Sequence, residues 1–142
     1  WVADSFDGLP PPNEELYPAD KNSNFHTMNP LKISIDDVKN NFKKYDLLDE
    51  QVKFLKGWFK DTLPNAPIEK LAVLRLDGDM YESTMDALTS LYPKLSIGGY
   101  ILIDDYGAID SCSKAVDDYR SKNNITEKIL KVDHSGVYWQ KS

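Results

Sequence analysis

The residues best able to do chemistry are four aspartates, set two and two at the ends of apolar runs. Leu71 to Leu76 stops on Asp77-Gly78-Asp79, and Tyr100 to Ile103 stops on Asp104-Asp105. If the runs are neighbouring parallel strands, their ends lie about 5 Å apart. Two carboxylates at that distance repel by about 3 kcal/mol at an effective dielectric of about 20. The nearest basic residues in sequence are Arg75, inside the first run, and Lys94, beyond the next helix. Neither is expected at the acidic ends, so a raised carboxyl pKa or a divalent cation must offset the repulsion. An all-oxygen ligand set suits a hard ion, Mg²⁺ above all.

The elements that position these acids follow from local pattern. Trp1 to Ala3 reads as a short strand ending on Asp4, and the Gly- and Pro-rich stretch from Ser5 to Pro12 cannot prolong it. Residues 13–33 hold no clean period and form a long loop, the kind that serves as a lid. Ser34 opens a helix carrying Ile35, Val38, Phe42 and Tyr45 on one face. Gln51 to Leu55 alternates like a strand and stops at Gly57-Trp58. Beyond Asp79, Ser83 is the expected cap of a helix whose stripe is Met85, Leu88, Leu91 and Tyr92. Gly98-Gly99 marks a turn into the second acidic strand, and Asp110 or Ser111 caps a third helix bearing Cys112, Ala115, Val116 and Tyr119. Two runs, 127–132 and 136–139, close the chain as a hairpin.

Alternating strands and helices imply an α/β fold with a parallel sheet, helices on both faces and an antiparallel hairpin at one edge. Ligands of such sheets bind beyond the carboxyl ends of the strands, where Asp4, Gly57, Asp77, Asp79, Asp104 and Asp105 all fall. At 142 residues the chain is a single domain, 1–142. Its net charge of −6 argues against nucleic-acid binding, and no apolar run is long enough for a membrane span. The lone cysteine, Cys112, excludes a disulfide framework and fits a core position and a cytoplasmic location. His26 and His134 read as solvated, whereas Tyr81 and Tyr106, close behind the acids, are candidates for an acceptor pocket.

With those residues in view, the chain resembles the macrocin O-methyltransferase family, which methylates sugar hydroxyls using S-adenosylmethionine. The segments that carry the likeness are WVADSFDGLPPP, FLKGWFKDTLP, LAVLRLDGDMYESTMDAL, LYPKLSIGGYILIDDYG and GVYW. The resemblance implies a Rossmann-like methyltransferase sheet, with Mg²⁺ on Asp77, Asp104 and Asp105 and a general base at Asp79. It places the donor on Asp4, Ser5, Phe6, Gly57 and Trp58; Asp4 also suits a ribose diol on physical grounds. The acceptor it implies is a small glycoside. The family's first strand and glycine-rich turn are missing: the chain opens on Trp1 in mid-strand and none of its glycines forms such a turn. That reads as an N-terminally truncated domain, with a central strand absent between those beginning at Trp1 and Leu71. Unpaired edges there predict dimerisation or strand swapping. Rival readings are a metal-dependent glycosyltransferase using Asp77-Gly78-Asp79, a phospho-receiver module with an acid cluster and Mg²⁺, and a non-catalytic binding fragment.

Overall fold

The computed structural model describes all 142 residues. Its strands are β1 (Val2–Asp4), β2 (Phe54–Lys56), β3 (Leu71–Leu76), β4 (Leu95–Ile103), β5 (Leu130–Lys131) and β6 (Val137–Gln140). Its helices are α1 (Ile35–Lys44), α2 (Phe59–Thr62), α3 (Tyr81–Leu91) and α4 (Asp110–Lys122), with short 3₁₀ turns in the loops. The strands form two sheets: a parallel pair β1-β2, and a four-stranded sheet in the order β3-β4-β6-β5. The β3-β4 pair is parallel and the expected hairpin β5-β6 antiparallel.

β1 and β3 each keep one edge without a partner. Between the sheets lies a cavity of about 640 Å³, lined mainly by apolar residues including Val2, Phe6, Ile68 and Val73.

One face of the larger sheet is the core. Leu74, Leu76, Ile101, Ile103, Val137 and Trp139 are buried there with Leu88 and Leu91 of α3 and Cys112 and Val116 of α4. Alternation puts Val73, Arg75 and Tyr100 on the opposite face, where Val73 is 57% exposed. α1 begins on Ser34, whose Oγ accepts from the Asp37 N–H at 3.1 Å as the sequence required. Its Phe42 packs edge-on against Phe54 of β2.

Three local expectations are corrected. The second strand is Phe54–Lys56 rather than Gln51 to Leu55, because Asp49 closes a turn on the Gln51 N–H at 2.8 Å. Gly98-Gly99 does not end an element: β4 runs through it as a bulge, and the register on β3 jumps from Leu71↔Leu95 to Val73↔Tyr100. A Cβ on Gly99 would lie 2.8 Å from the Ala72 carbonyl oxygen, which explains the glycine. Ser83 does not cap α3, since it lies inside the helix. The cap comes from Asp20 in the long loop, whose carboxylate accepts from the Tyr81 N–H at 2.6 Å and the Glu82 N–H at 3.0 Å while only 1% exposed.

Candidate active site

β3 and β4 end side by side because they pair in parallel up to Leu76↔Ile103, and the chain continues directly into both acid clusters. One carboxylate oxygen from each of Asp77, Asp104 and Asp105 lies within 4.8 Å of the others. Asp105 Oδ2 is buried and accepts no hydrogen bond. Burial, then the charge of Asp77, raises the Asp105 carboxyl above the ordinary carboxylate range. An orphaned carboxylate oxygen facing two further acids is a donor set that fits a hard divalent cation.

Arg75 overturns part of the sequence reading. Its Nη2 lies 3.0 Å from Asp77 Oδ2 and 2.9 Å from Asp104 Oδ1, so the guanidinium bridges the two strand ends and offsets the repulsion without a cation. Burial lowers its pKa, but Asp77 and Asp104 more than reverse that and hold it protonated. The missed signal was simple: residues two apart on a strand share a face, and Arg75 stands two before Asp77.

Asp79 is the centre of a tight three-residue turn, with φ +56° and the Met80 N–H donating to the Gly78 carbonyl at 2.5 Å. A left-handed aspartate is tolerated where a branched residue would not be. The Ser111 hydroxyl donates to the Asp79 carbonyl at 3.3 Å and ties the turn to α4. Burial, followed by the charges of Asp105, Asp77 and Asp104, pushes the Asp79 carboxyl up to about 6.

Beside the acids opens a cavity of about 200 Å³, lined by Asp4, Ser5, Trp58, Asp77 and Asp79 among others. It is walled by the loop residues Gly8, Leu9, Pro10 and Leu31 and by Glu82, Ser83 and Asp86 of α3. Phe6 and Gly57 do not line it. Phe6 is buried against Phe54, and its N–H donates to Asp4 Oδ1 at 2.6 Å. Gly57, at φ +142°, donates its N–H to the Asp4 carbonyl at 2.9 Å, and a Cβ there would strike the Thr62 methyl. Both shape the turn that presents Asp4. Ser5 is mostly occupied with its own turn, donating to the Gly8 carbonyl at 2.6 Å and accepting from the Asp7 N–H at 3.0 Å.

Tyr81 and Tyr106 turn away from this cavity. Their hydroxyls donate to Asp118 at 3.0 Å and Asp117 at 2.8 Å on α4. Cys112 takes the core position expected of it, its thiol pushed up to about 12 by burial. Sequence reasoning missed Glu82 and Asp86, which line the cavity, and Asp20, which caps the helix that carries them.

Residues 1–141 match the macrocin O-methyltransferase (TylF) family. The chain belongs to that family. Demethyldecarbamoylnovobiocin O-methyltransferase of Streptomyces niveus is 55% identical over 143 residues, covering 100% of this chain and 55% of that protein. Mycinamicin III 3''-O-methyltransferase of Micromonospora griseorubida is 51% identical, covering 100% and 57%. This family member thus spans about half the length of the curated relatives it matches. Among solved structures, the O-methyltransferase NovP superposes with a TM-score of 0.96 at 55% identity, over 100% of this chain and 59% of that one. The calicheamicin methyltransferase CalS11 superposes at 0.70 with 16% identity, over 97% and 58%, a likeness of fold alone. The α/β, Rossmann-like class read from the sequence is therefore the class of the family. No helix is long and apolar enough to cross a membrane.

Proposed function

We propose that this chain carries the donor and metal sites of an S-adenosylmethionine- and Mg²⁺-dependent O-methyltransferase acting on a sugar hydroxyl of a small glycoside. The observation that carries the reading is the convergence of Asp77, Asp104 and Asp105 beside a cavity that Asp77 and Asp79 line together with Asp4, Ser5 and Trp58. Its family relatives and solved neighbours are named methyltransferases, which weighs against the glycosyltransferase and receiver readings of the acidic tripeptide.

In this reading Asp77, Asp104 and Asp105 hold the cation, which when bound would lower the pKa of a coordinated hydroxyl. Asp79, freed from β3 by Gly78 and aimed by its left-handed turn, accepts that hydroxyl's proton. Asp4 takes the donor's ribose diol and Trp58 lies against its base, while Phe6 and Gly57 fix the Asp4 turn. Methyl transfer from a sulfonium then needs little beyond alignment. Arg75 occupies the charge-neutralising role when the cation is away, so the two compete for Asp77 and Asp104.

Calorimetric titration of S-adenosylmethionine, with and without Mg²⁺, tests the reading. Donor binding together with a separate Mg²⁺ isotherm that Asp104→Asn weakens is the expected result. Absence of both isotherms would overturn it.

A further inference from the structure

Asp20 belongs to the long loop, yet both of its carboxylate oxygens are committed to the start of α3. Oδ1 accepts from the Tyr81 N–H at 2.6 Å and Oδ2 from the Glu82 N–H at 3.0 Å, and the residue is 1% exposed. The helix supplies no side-chain cap of its own, because its N-cap position is Met80. A carboxylate that holds two successive amides fixes the direction of the chain as well as its place, since rotation about one bond would break the other. Asp20 is itself held: its N–H donates to the Tyr17 carbonyl at 2.9 Å, and the Tyr17 ring lies 5.9 Å from that of Tyr81. It does not line the cavity, although Gly8, Leu9 and Pro10 before it and Leu31 after it do.

What this hold controls lies just upstream. Asp79 stands two residues before Tyr81, at φ +56°. A left-handed aspartate is strained and persists only where its surroundings over-determine it. On one side the Met80 N–H closes the turn on the Gly78 carbonyl, and the Met80 side chain is fully buried. The Ser111 bond to the Asp79 carbonyl, at 3.3 Å, is long for a hydroxyl donor. The two Asp20 bonds are shorter and fix the peptide planes that follow Met80. We propose that Asp20 is a positioning residue for methyl transfer, holding the left-handed turn in the shape that aims the Asp79 carboxylate at the acceptor hydroxyl. This rests on the reading of Asp79 as the base, and it assigns the long loop a part in the reaction through a residue that touches no ligand.

Amide hydrogen exchange on the whole chain separates this role from that of a plain helix cap. A lost cap alone frees the Tyr81 and Glu82 amides, whereas a loosened turn also frees that of Met80. In Asp20→Ala the Met80 amide should exchange about tenfold faster, judged against Gly99→Ala, which lowers stability from the bulge of β4, away from the acidic strand ends. Asp20→Asn, whose amide oxygen still accepts one of the two bonds, should restore most of that protection. On a glycoside that the parent protein methylates, Asp20→Ala should lower kcat by about 10²-fold. KM and the S-adenosylmethionine isotherm should stay unchanged, and Asp20→Asn should recover part of the lost kcat. Met80 exchange no faster than in Gly99→Ala would overturn the role and leave Asp79 standing as the base. Faster exchange with undiminished kcat would do the same. Turnover that survives Asp79→Asn would overturn the base reading and this one with it.

Discussion

Arg75 and the three acids around it form a charge balance with two solutions, one with a guanidinium and one with a divalent ion. Both partners in each ion pair are about half exposed, so the bridge is worth at most about 1 kcal/mol. Arg75→Met should lower the melting temperature by about 2–4 °C in chelator. Saturating Mg²⁺ should close that gap, and calorimetry should show Mg²⁺ bound severalfold more tightly than by the parent. Unchanged affinity would mean that the cation and Arg75 do not share ligands. Asp79→Asn keeps the left-handed turn, which asparagine tolerates, and should retain Mg²⁺ affinity while cutting turnover by about 10²–10⁴-fold. Asp104→Asn should instead lose metal. Asp86 gives a pH prediction. Burial and the Glu82 charge raise its folded pKa from the ordinary aspartate value of 3.8 to about 6, so between those values the folded state holds the extra proton and stability falls as pH rises. Glu82, Asp61, Lys60 and Tyr17 are the charged or titratable neighbours that act with it. With its partial exposure discounting the effect to about 1 kcal/mol, Asp86→Asn should melt about 2–4 °C higher at pH 7. Below pH 4 it should show no gain, and a gain independent of pH would remove the assignment.

At the scale of elements, what was legible in the sequence was what neighbours in sequence decide. Ser34 capping α1, the stripe of α3, both acidic strand ends and the closing hairpin all follow from residues within a few positions of each other. Asp20 could not be read that way, because it stands 61 residues before the Tyr81 amide it caps and belongs to a segment without periodicity. Ser83 had the better local pattern, but the chain turns into α3 two residues before it. Asp20→Ala should cost about 1–2 kcal/mol, the upper range for a lost helix cap, read as a lower urea midpoint with an unchanged slope. It should also make the loop from Glu14 to Ile33 cleavable by trypsin under native conditions. Ser83→Ala should do neither. Gly99 illustrates the same limit: Gly-Gly suggests a turn, while the close approach of the Ala72 carbonyl shows a bulge. Gly99→Ala should destabilise by about 1–3 kcal/mol.

For the whole molecule, the hairpin at one edge of the sheet was foreseeable, and the strands divide into β1-β2 and β3-β4-β6-β5. The open edges of β1 and β3 and the exposed Val73 and Ile97 are a template for another strand. Sedimentation should show concentration-dependent self-association, reduced by Val73→Lys; a strict monomer at high concentration would refute this. The 17 residues of the core cluster all come from position 63 onward, and α1 buries none of its side chains. Residues before 63 therefore make up a cooperative unit of lower stability, whose amides should exchange with deuterium through a partial opening that leaves β3 to β6 protected. The cavity spans that boundary, with Asp4, Ser5 and Trp58 on the weaker side and Asp79, Glu82 and Asp86 on the stronger. Any molecule seated there is a clasp: its binding energy goes first into suppressing the partial opening, so slowed exchange in β1 and β2 would report occupancy before any change in global melting.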